Sequence, residues 1–273
     1  MSVVGRLAPT PSGHLHLGNA LAFGAAWLSV RNQGGQLLLR VEDLDRGRAR
    51  SDIADAQRDD LRWLGLHWDV EVQPQSMRTY GIEGLETYLC DCTRKQRAVR
   101  PCPHRAAPAE AGAVRFRSAR RPVAFVDRAQ GPQMHTPSQD PLLLRRSGAP
   151  GYPLAVVVED HRDGVTEVVR GGDLLAPTAT QVELYEALGW TPPTWLHVPL
   201  LLGPDGRKLS KSHGSTELRS LRAAGWTAGD VWTRLLPLLG IPTGVHLERA
   251  ELIPERVPEG PFVVDGRGVP RAP

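Results

Sequence analysis

Short apolar runs alternate with turn-forming clusters along the chain, and the run lengths predict an α/β protein. Residues 2–8 carry the pattern of a buried strand and end in the turn-forming run Pro9-Thr-Pro-Ser-Gly13. Residues 21–30 are apolar over a length that suits a buried helix, Gly34-Gly35 stops it, and 36–41 reads as a second apolar strand. Strand, loop, helix and strand in that order predict a β-α-β unit with parallel strands. Ser51 is expected to cap the next helix, which carries Asp52 and Asp55 in its first turn, Ile53, Leu61 and Leu64 on its apolar face, and an end near Gly65. From 101 to 151 the composition shifts to Pro, Ala, Arg and Gln, and short candidate strands at 114–117 and 123–127 predict an insertion outside the main sheet. Regular patterning resumes at 154–158 and 165–169, passes through a helix near 179–188 and a strand near 196–200, and closes with helices near 217–224 and 228–239.

Composition narrows the picture. With 41% apolar residues, 28 Gly and 24 Pro in 273, the chain is globular and rich in loops, which excludes wholesale disorder. No run approaches the roughly 18 consecutive apolar residues of a membrane span, and the first residues show neither a basic leader nor a long apolar core. The expected location is the cytoplasm, with no membrane partner. Lys and Arg number 33 against 30 Asp and Glu, a net charge of +3 that permits a nucleic-acid partner without requiring one. The 3 cysteines, Cys90, Cys92 and Cys102, lie close together in one odd-numbered cluster, which suits a metal better than a disulfide framework.

Two loops carry the chemistry. The first holds Pro9, Gly13, His14, His16, Gly18 and Asn19 between a strand and a helix start. Glycines allow close backbone approach, a helix start offers unpaired N–H groups to phosphate, and imidazoles donate to phosphate oxygens. The second, Gly206-Arg-Lys-Leu-Ser-Lys-Ser212, follows a predicted strand and carries Lys208, Ser210, Lys211 and Ser212. Mobile lysines there can neutralise charge developing on a departing pyrophosphate. Either loop alone reads equally as a solvated turn; the pair is more specific.

His16-Leu-Gly-Asn19 and Lys208-Leu-Ser-Lys-Ser212 resemble the His-Ile-Gly-His and Lys-Met-Ser-Lys-Ser signatures of class I aminoacyl-tRNA synthetases, with Asn19 at the last histidine position. Gly5-Arg-Leu-Ala-Pro-Thr-Pro, Leu39-Arg-Val-Glu-Asp-Leu-Asp45, and the segments from Tyr152 to His161 and from Gly164 to Asp173 narrow the resemblance to the glutamyl branch. Pro153 stands where that branch usually has Asn. The resemblance implies a Rossmann-like doubly wound parallel sheet with an inserted zinc-containing subdomain and a short C-terminal helical segment. The expected division is 1–89 and 151–212 for the two halves of the catalytic domain, 90–150 for the insertion and 213–273 for the helical segment and tail.

It further implies that ATP, accompanied by Mg²⁺, is held by Pro9, Gly13, His14, His16, Gly18, Asn19, Lys208, Ser210, Lys211 and Ser212, with His16 and Lys211 catalytic. L-glutamate would be held by Arg6, Leu7, Ala8, Pro9, Thr10, Glu42, Tyr152 and Arg170: arginines for its two carboxylates, Glu42 for its ammonium, Tyr152 for a hydroxyl bond. Which arginine takes which carboxylate stays open. Residues 213–273 are too few for the large helical anticodon-binding domain of ordinary glutamyl-tRNA synthetases. The resemblance therefore points to truncated paralogues that activate glutamate without tRNA and attach it to queuosine in the anticodon of tRNA(Asp), acting as monomers. Conventional transfer to a tRNA 3′ end with a partner chain, or an idle tRNA-binding or regulatory paralogue, are the alternatives.

Cys90, Cys92, Cys102 and His104 form a C-x-C-x9-C-x-H arrangement whose soft thiolates and imidazole suit tetrahedral Zn²⁺ in a structural site. The glutamyl family usually places Tyr where Arg100 stands and Cys where His104 stands. Three free thiols with a surface histidine is the alternative, and Cys90 and Cys92 are expected at a helix end. Arg94, Lys95, Arg97, Arg100 and Arg105, then Arg115, Arg117, Arg120 and Arg121, form a basic run that suits tRNA phosphates or a merely solvated face; Phe116 and Phe125 are its few aromatics.

Overall fold

The computed structural model describes residues 2–203, 205–209, 216–265 and 270–271. Strand β1 (Val4–Leu7) leads through a loop into α1 (Leu17–Asn32) and back into β2 (Gln36–Leu39); α2 (Ser51–Trp63) then precedes β3 (Val70–Glu71). These strands form a parallel sheet in the order β1-β2-β3, with Arg6 opposite Leu38. Helix α1 is apolar nearly all round, and it is correspondingly buried on most of its circumference, from Leu17 and Leu21 to Leu28 and Val30. Each fully buried leucine of this kind contributes about 1.5–3 kcal/mol relative to an exposed one.

The middle of the chain supplies β4 (Thr87–Cys90), α3 (Arg94–Val99), β5 (Ala113–Phe116), β6 (Val123–Asp127), β7 (Gly131–His135) and β8 (Leu142–Leu144). Strands β4, β5 and β8 make a separate antiparallel sheet. Then come α4 (Tyr152–Arg162), β9 (Glu167–Gly171), α5 (Thr178–Ala187), β10 (Thr194–Val198) and β11 (Leu201–Leu202), followed by α6 (Leu218–Ala223), α7 (Ala228–Leu235), β12 (Phe262–Val264) and β13 (Pro270–Arg271). A mixed sheet runs β7-β6-β10-β9, in which β9 and β6 lie parallel to β10, and β7 is antiparallel to β6. It abuts the first parallel sheet edge to edge: the Thr166 N–H donates to the Val4 carbonyl at 2.9 Å, and the Val4 N–H to Thr166 Oγ1 at 2.9 Å. The C-terminal helices cover α1 closely, since a Cβ on Gly24 would lie 2.5 Å from the Trp232 ring. Trp232 also donates its indole N–H to the Leu64 carbonyl at 2.8 Å, locking α7 to the end of α2.

Several elements differ from the sequence expectation, each for a local reason. Ser51 is the first helical residue of α2, and Arg50 at the cap position makes no side-chain bond to the helix backbone, pairing with Asp52. The helix relies instead on its buried face. Residues 123–127 join the sheet of β9 and β10 rather than lying outside it, because Trp195 of β10 pairs with Asp127. The predicted helix over 228–239 stops at Leu235 and tightens into a 3-10 turn over Leu236–Leu239, where Pro237 removes a donor. Cys90 ends a strand and not a helix. Residues 152–158 belong to a helix whose second residue is Pro153, a position where the missing N–H has no partner to lose.

Candidate functional site

The C-terminal ends of β1 and β9 and the start of α1 open on a cavity of about 570 Å³. Ligands of open α/β sheets bind at such strand ends. The Arg40 N–H bonds to the Leu7 carbonyl at 2.9 Å and the Glu42 N–H to the Pro9 carbonyl at 3.0 Å, so the β1–β2 pairing continues past the strands and carries Glu42 into the wall. Arg6, Ala8, Pro9, Thr10, Glu42, Tyr152 and Arg170 all line this cavity, as do Gly13, His14, His16, Gly18, Asn19 and Lys208. Leu7 does not: its side chain is fully buried in the core beneath. Ser210, Lys211 and Ser212 lie outside the described residues.

His16 caps α1. The Gly18 N–H donates to its Nδ1 at 3.1 Å, and its own backbone N–H donates to Asn19 Oδ1 at 3.0 Å. Nδ1 therefore acts as acceptor, and the hydrogen-bond pattern assigns the ring proton to Nε2. Asn19 thus gains a structural use at the departing position of the signature: it closes the capping box. The chain returns to this corner after residue 215, where the Leu218 N–H donates to the Leu15 carbonyl at 2.9 Å and Glu217 bridges to His16. Lys208, on the far rim, pairs with Asp173.

Beneath the wall lies an ionic cluster absent from the sequence expectations. Arg40 is wholly buried and meets Asp160 at 2.7 Å, Glu159 at 3.1 Å, Asp163 at 3.1 Å and Glu42 at 3.4 Å. Arg6 meets Asp160 at 3.2 Å. Burial pushes the Asp160 carboxyl up, yet the Arg6 and Arg40 guanidiniums hold it below the usual carboxylate range. Burial keeps the Glu42 carboxyl above its usual range against the pull of Arg40 and Arg6. Gln57 was also missed: its Nε2 donates to the Thr10 carbonyl at 3.0 Å and the Gly13 carbonyl at 2.7 Å, pinning the loop. A sequence signal existed for Arg40, Glu159 and Asp160, because each interrupts or ends an otherwise apolar run.

Cys90, Cys92, Cys102 and His104 converge, their ligand atoms all lying within 4.8 Å of one another. Cys90 and Cys102 sulfurs are 3.4 Å apart, Cys92 and Cys102 sulfurs 4.0 Å, and the Cys92 sulfur is 3.4 Å from His104 Nδ1. Tetrahedral thiolate ligation at about 2.3 Å spaces sulfurs by a similar amount, so the donor set fits such an ion. His104 Nε2 lies 3.3 Å from Asp91, an arrangement that leaves Nδ1 as the ligating nitrogen. Although burial opposes it, hydrogen bonding from Cys90 and neighbours pulls the Cys102 thiol down to about 7.

Part of the basic run is engaged in contacts within the fold. Arg105 and Arg120 pair with the buried Asp140, Arg115 donates to the Asp140 carbonyl at 2.9 Å, and Arg117 covers the Tyr88 ring at 5.3 Å. Arg94, Lys95, Arg100 and Arg121 remain exposed.

Comparison with known proteins agrees with this layout. The family described as tRNA synthetases class I (E and Q), catalytic domain, matches residues 2–93 and 92–244. A protein of Symbiobacterium thermophilum named glutamyl-Q tRNA(Asp) synthetase is 39% identical over 98% of this chain and 94% of its own. One of the same name from Nitratidesulfovibrio vulgaris is 40% identical over 94% and 89%. Glutamate–tRNA ligase 1 of Dinoroseobacter shibae is 38% identical over 83% of this chain and 54% of its own. Among solved structures, a glutamate-tRNA synthetase from Elizabethkingia anophelis shares the fold with a TM-score of 0.74 at 22% identity, over 93% of this chain and 65% of that one. Among the described residues, no helix is long and apolar enough to cross a membrane. The chain belongs to the catalytic-domain family of class I tRNA synthetases (E and Q), which makes it a ligase of that class.

Proposed function

We propose that the chain activates L-glutamate with ATP, without tRNA, and passes the glutamyl group to queuosine in the anticodon of tRNA(Asp). One observation carries the reading: a single cavity gathers Arg6, Arg170, Glu42 and Tyr152 on one side and the His14–Asn19 corner with Lys208 on the other. Cations for two carboxylates and an anion for one ammonium thus face a phosphate-binding helix start. The names of the two relatives aligned along nearly their full length support the acceptor.

In the first step a glutamate carboxylate oxygen attacks the α-phosphorus of ATP and pyrophosphate leaves; in the second, a tRNA hydroxyl attacks the activated carbonyl and AMP leaves. No side chain need act as nucleophile. The work of the protein is positioning and charge stabilisation. His16 offers its Nε2–H toward phosphate oxygens, the α1 start adds its positive end, and Lys208 with Lys211 neutralises the departing pyrophosphate. Mg²⁺ bound to ATP supplies further neutralisation of the triphosphate. Cys90, Cys92, Cys102 and His104 would hold a structural Zn²⁺ tying the end of β4 to the following loop. The parallel sheet of β1 and the mixed sheet of β9, which abut edge to edge, act as halves of one catalytic domain in the cytoplasm, where the tRNA is. The test is glutamate-dependent exchange of labelled pyrophosphate into ATP without tRNA, with glutamine and aspartate as controls, followed by transfer to tRNA(Asp) with and without queuosine. Exchange with glutamate and transfer to the queuosine form alone is the expected result; transfer to the 3′ end instead identifies a conventional synthetase, and absence of exchange an idle paralogue.

A further inference from the structure

Arg170 sits on β9 directly opposite His197 on β10, and His197 stands one strand away from Asp127 on β6. The three side chains form a chain of hydrogen bonds running sideways across the sheet. Arg170 Nε lies 3.1 Å from His197 Nε2, and His197 Nδ1 lies 2.6 Å from Asp127 Oδ2. His197 and Asp127 are almost wholly buried. An arginine Nε can only donate, so His197 Nε2 must accept, and the imidazole proton must sit on Nδ1, where it is donated to Asp127. The imidazole is thereby held neutral, in one tautomer and one orientation. Asp127 is fixed in turn, because its Oδ1 accepts the Ala129 N–H at 3.0 Å and the Gln130 N–H at 2.9 Å.

The rest of the Arg170 guanidinium is equally constrained. Nη2 donates to Thr178 Oγ1 at 2.8 Å, and that hydroxyl spends its own proton on the Leu174 carbonyl at 2.8 Å. The Trp195 ring lies 4.9 Å from the guanidinium carbon. Only Nη1 is left, buried and without a hydrogen-bond partner among the described residues. A guanidinium that lines a cavity with one nitrogen unsatisfied calls for an acceptor that the described residues do not provide.

We propose that Asp127, His197 and Thr178 are positioning residues for glutamate binding: they lock Arg170 so that its Nη1 edge meets a glutamate carboxylate. This rests on the reading of Arg170 as a glutamate-binding residue. Freed of the relay, the long side chain explores other rotamers, and the bound carboxylate loses a fixed donor.

The test compares His197→Leu, which keeps bulk but removes the acceptor, with His197→Gln, which keeps an oxygen toward Arg170. Pyrophosphate exchange on the full chain is read as separate KM values for glutamate and ATP. His197→Leu is expected to raise the glutamate KM by about 10–100-fold with the ATP KM within about twofold, and His197→Gln to recover most of the loss. Thr178→Val, nearly isosteric, removes the other acceptor and is expected to raise the glutamate KM by a smaller factor; it decides the matter should His197→Leu fail to fold. Arg170→Gln serves as reference. If it leaves the glutamate KM unchanged, Arg170 does not bind glutamate. If it raises that KM while His197→Leu, or Thr178→Val in its place, does not, the positioning role is overturned and the Arg170 reading stands.

Discussion

Around Arg40, four carboxylates lie within 3.4 Å of one guanidinium; around Cys102, two thiols and an imidazole lie within 4.0 Å. Both are clusters that cannot exist in isolation, but they are stabilised differently. The carboxylates answer cations of the chain itself, Arg6, Arg40 and Arg78, beneath a sheet whose core is dense. The cysteines sit in a segment with little core of its own: neither α3 nor the 3-10 turn Pro103–Arg105 contains a buried residue. Charge balance in the first region is internal, whereas the second has ligand geometry that an ion would complete. The lesson is that the cavity wall carries its own counter-charges, while the cysteine cluster presents donors in the geometry of a metal site.

The largest effect should come from breaking the internal balance. Arg40→Met leaves Glu159, Asp160 and Asp163 buried without their shared cation and is expected to cost about 3–5 kcal/mol in urea unfolding. A loss below about 1 kcal/mol would mean that the carboxylates relax to water and that the wall is not preorganised. Next, chelation or Cys102→Ser should abolish zinc binding and strip hydrogen-exchange protection from residues 91–111, leaving the α1 amides protected. Loss of protection in α1 at the same time would erase the contrast between the regions.

A pH experiment separates the relay from the rest of the wall. Burial drives the His197 pKa below its ordinary value despite Asp127, with the Arg170 charge adding to the fall. Its folded pKa is thus below the unfolded value of about 6.5, so its contribution to stability is full above that pH and is lost as pH falls toward the folded value. The melting temperature should decline from pH 7 to 5 more steeply in the parent than in His197→Gln; parallel slopes would dismiss the assignment. Smallest of all, Arg62→Ala removes an exposed pair with Asp59 at 3.1 Å and should shift stability by less than about 0.5 kcal/mol. A larger loss would locate structural charge on the surface as well as beneath the cavity.

Much of this was legible in the chain. The strand–loop–helix start that makes His16 a cap, the helices α1, α2 and α5, and the cysteine spacing follow from local pattern, because turn chemistry and 3.6-residue periodicity act over a few residues. The helix over residues 152–162 and the placing of β6 beside β10 were less legible: an apolar run suits either element, and a single long-range strand pair decides the second.

Sequence alone determined which groups are available: two arginines, an acid, a Gly/Pro loop before a helix start and a thiol cluster. Tertiary structure alone decided how they are held. Arg40 meets Asp160 across 120 residues of chain, Arg6 meets it across 154, and His197 meets Asp127 across 70. No local rule reaches so far. These partners are chosen by strand order and by the requirement that charge taken from water find its counterpart inside, and that requirement acts on the folded sheet rather than on the string of residues.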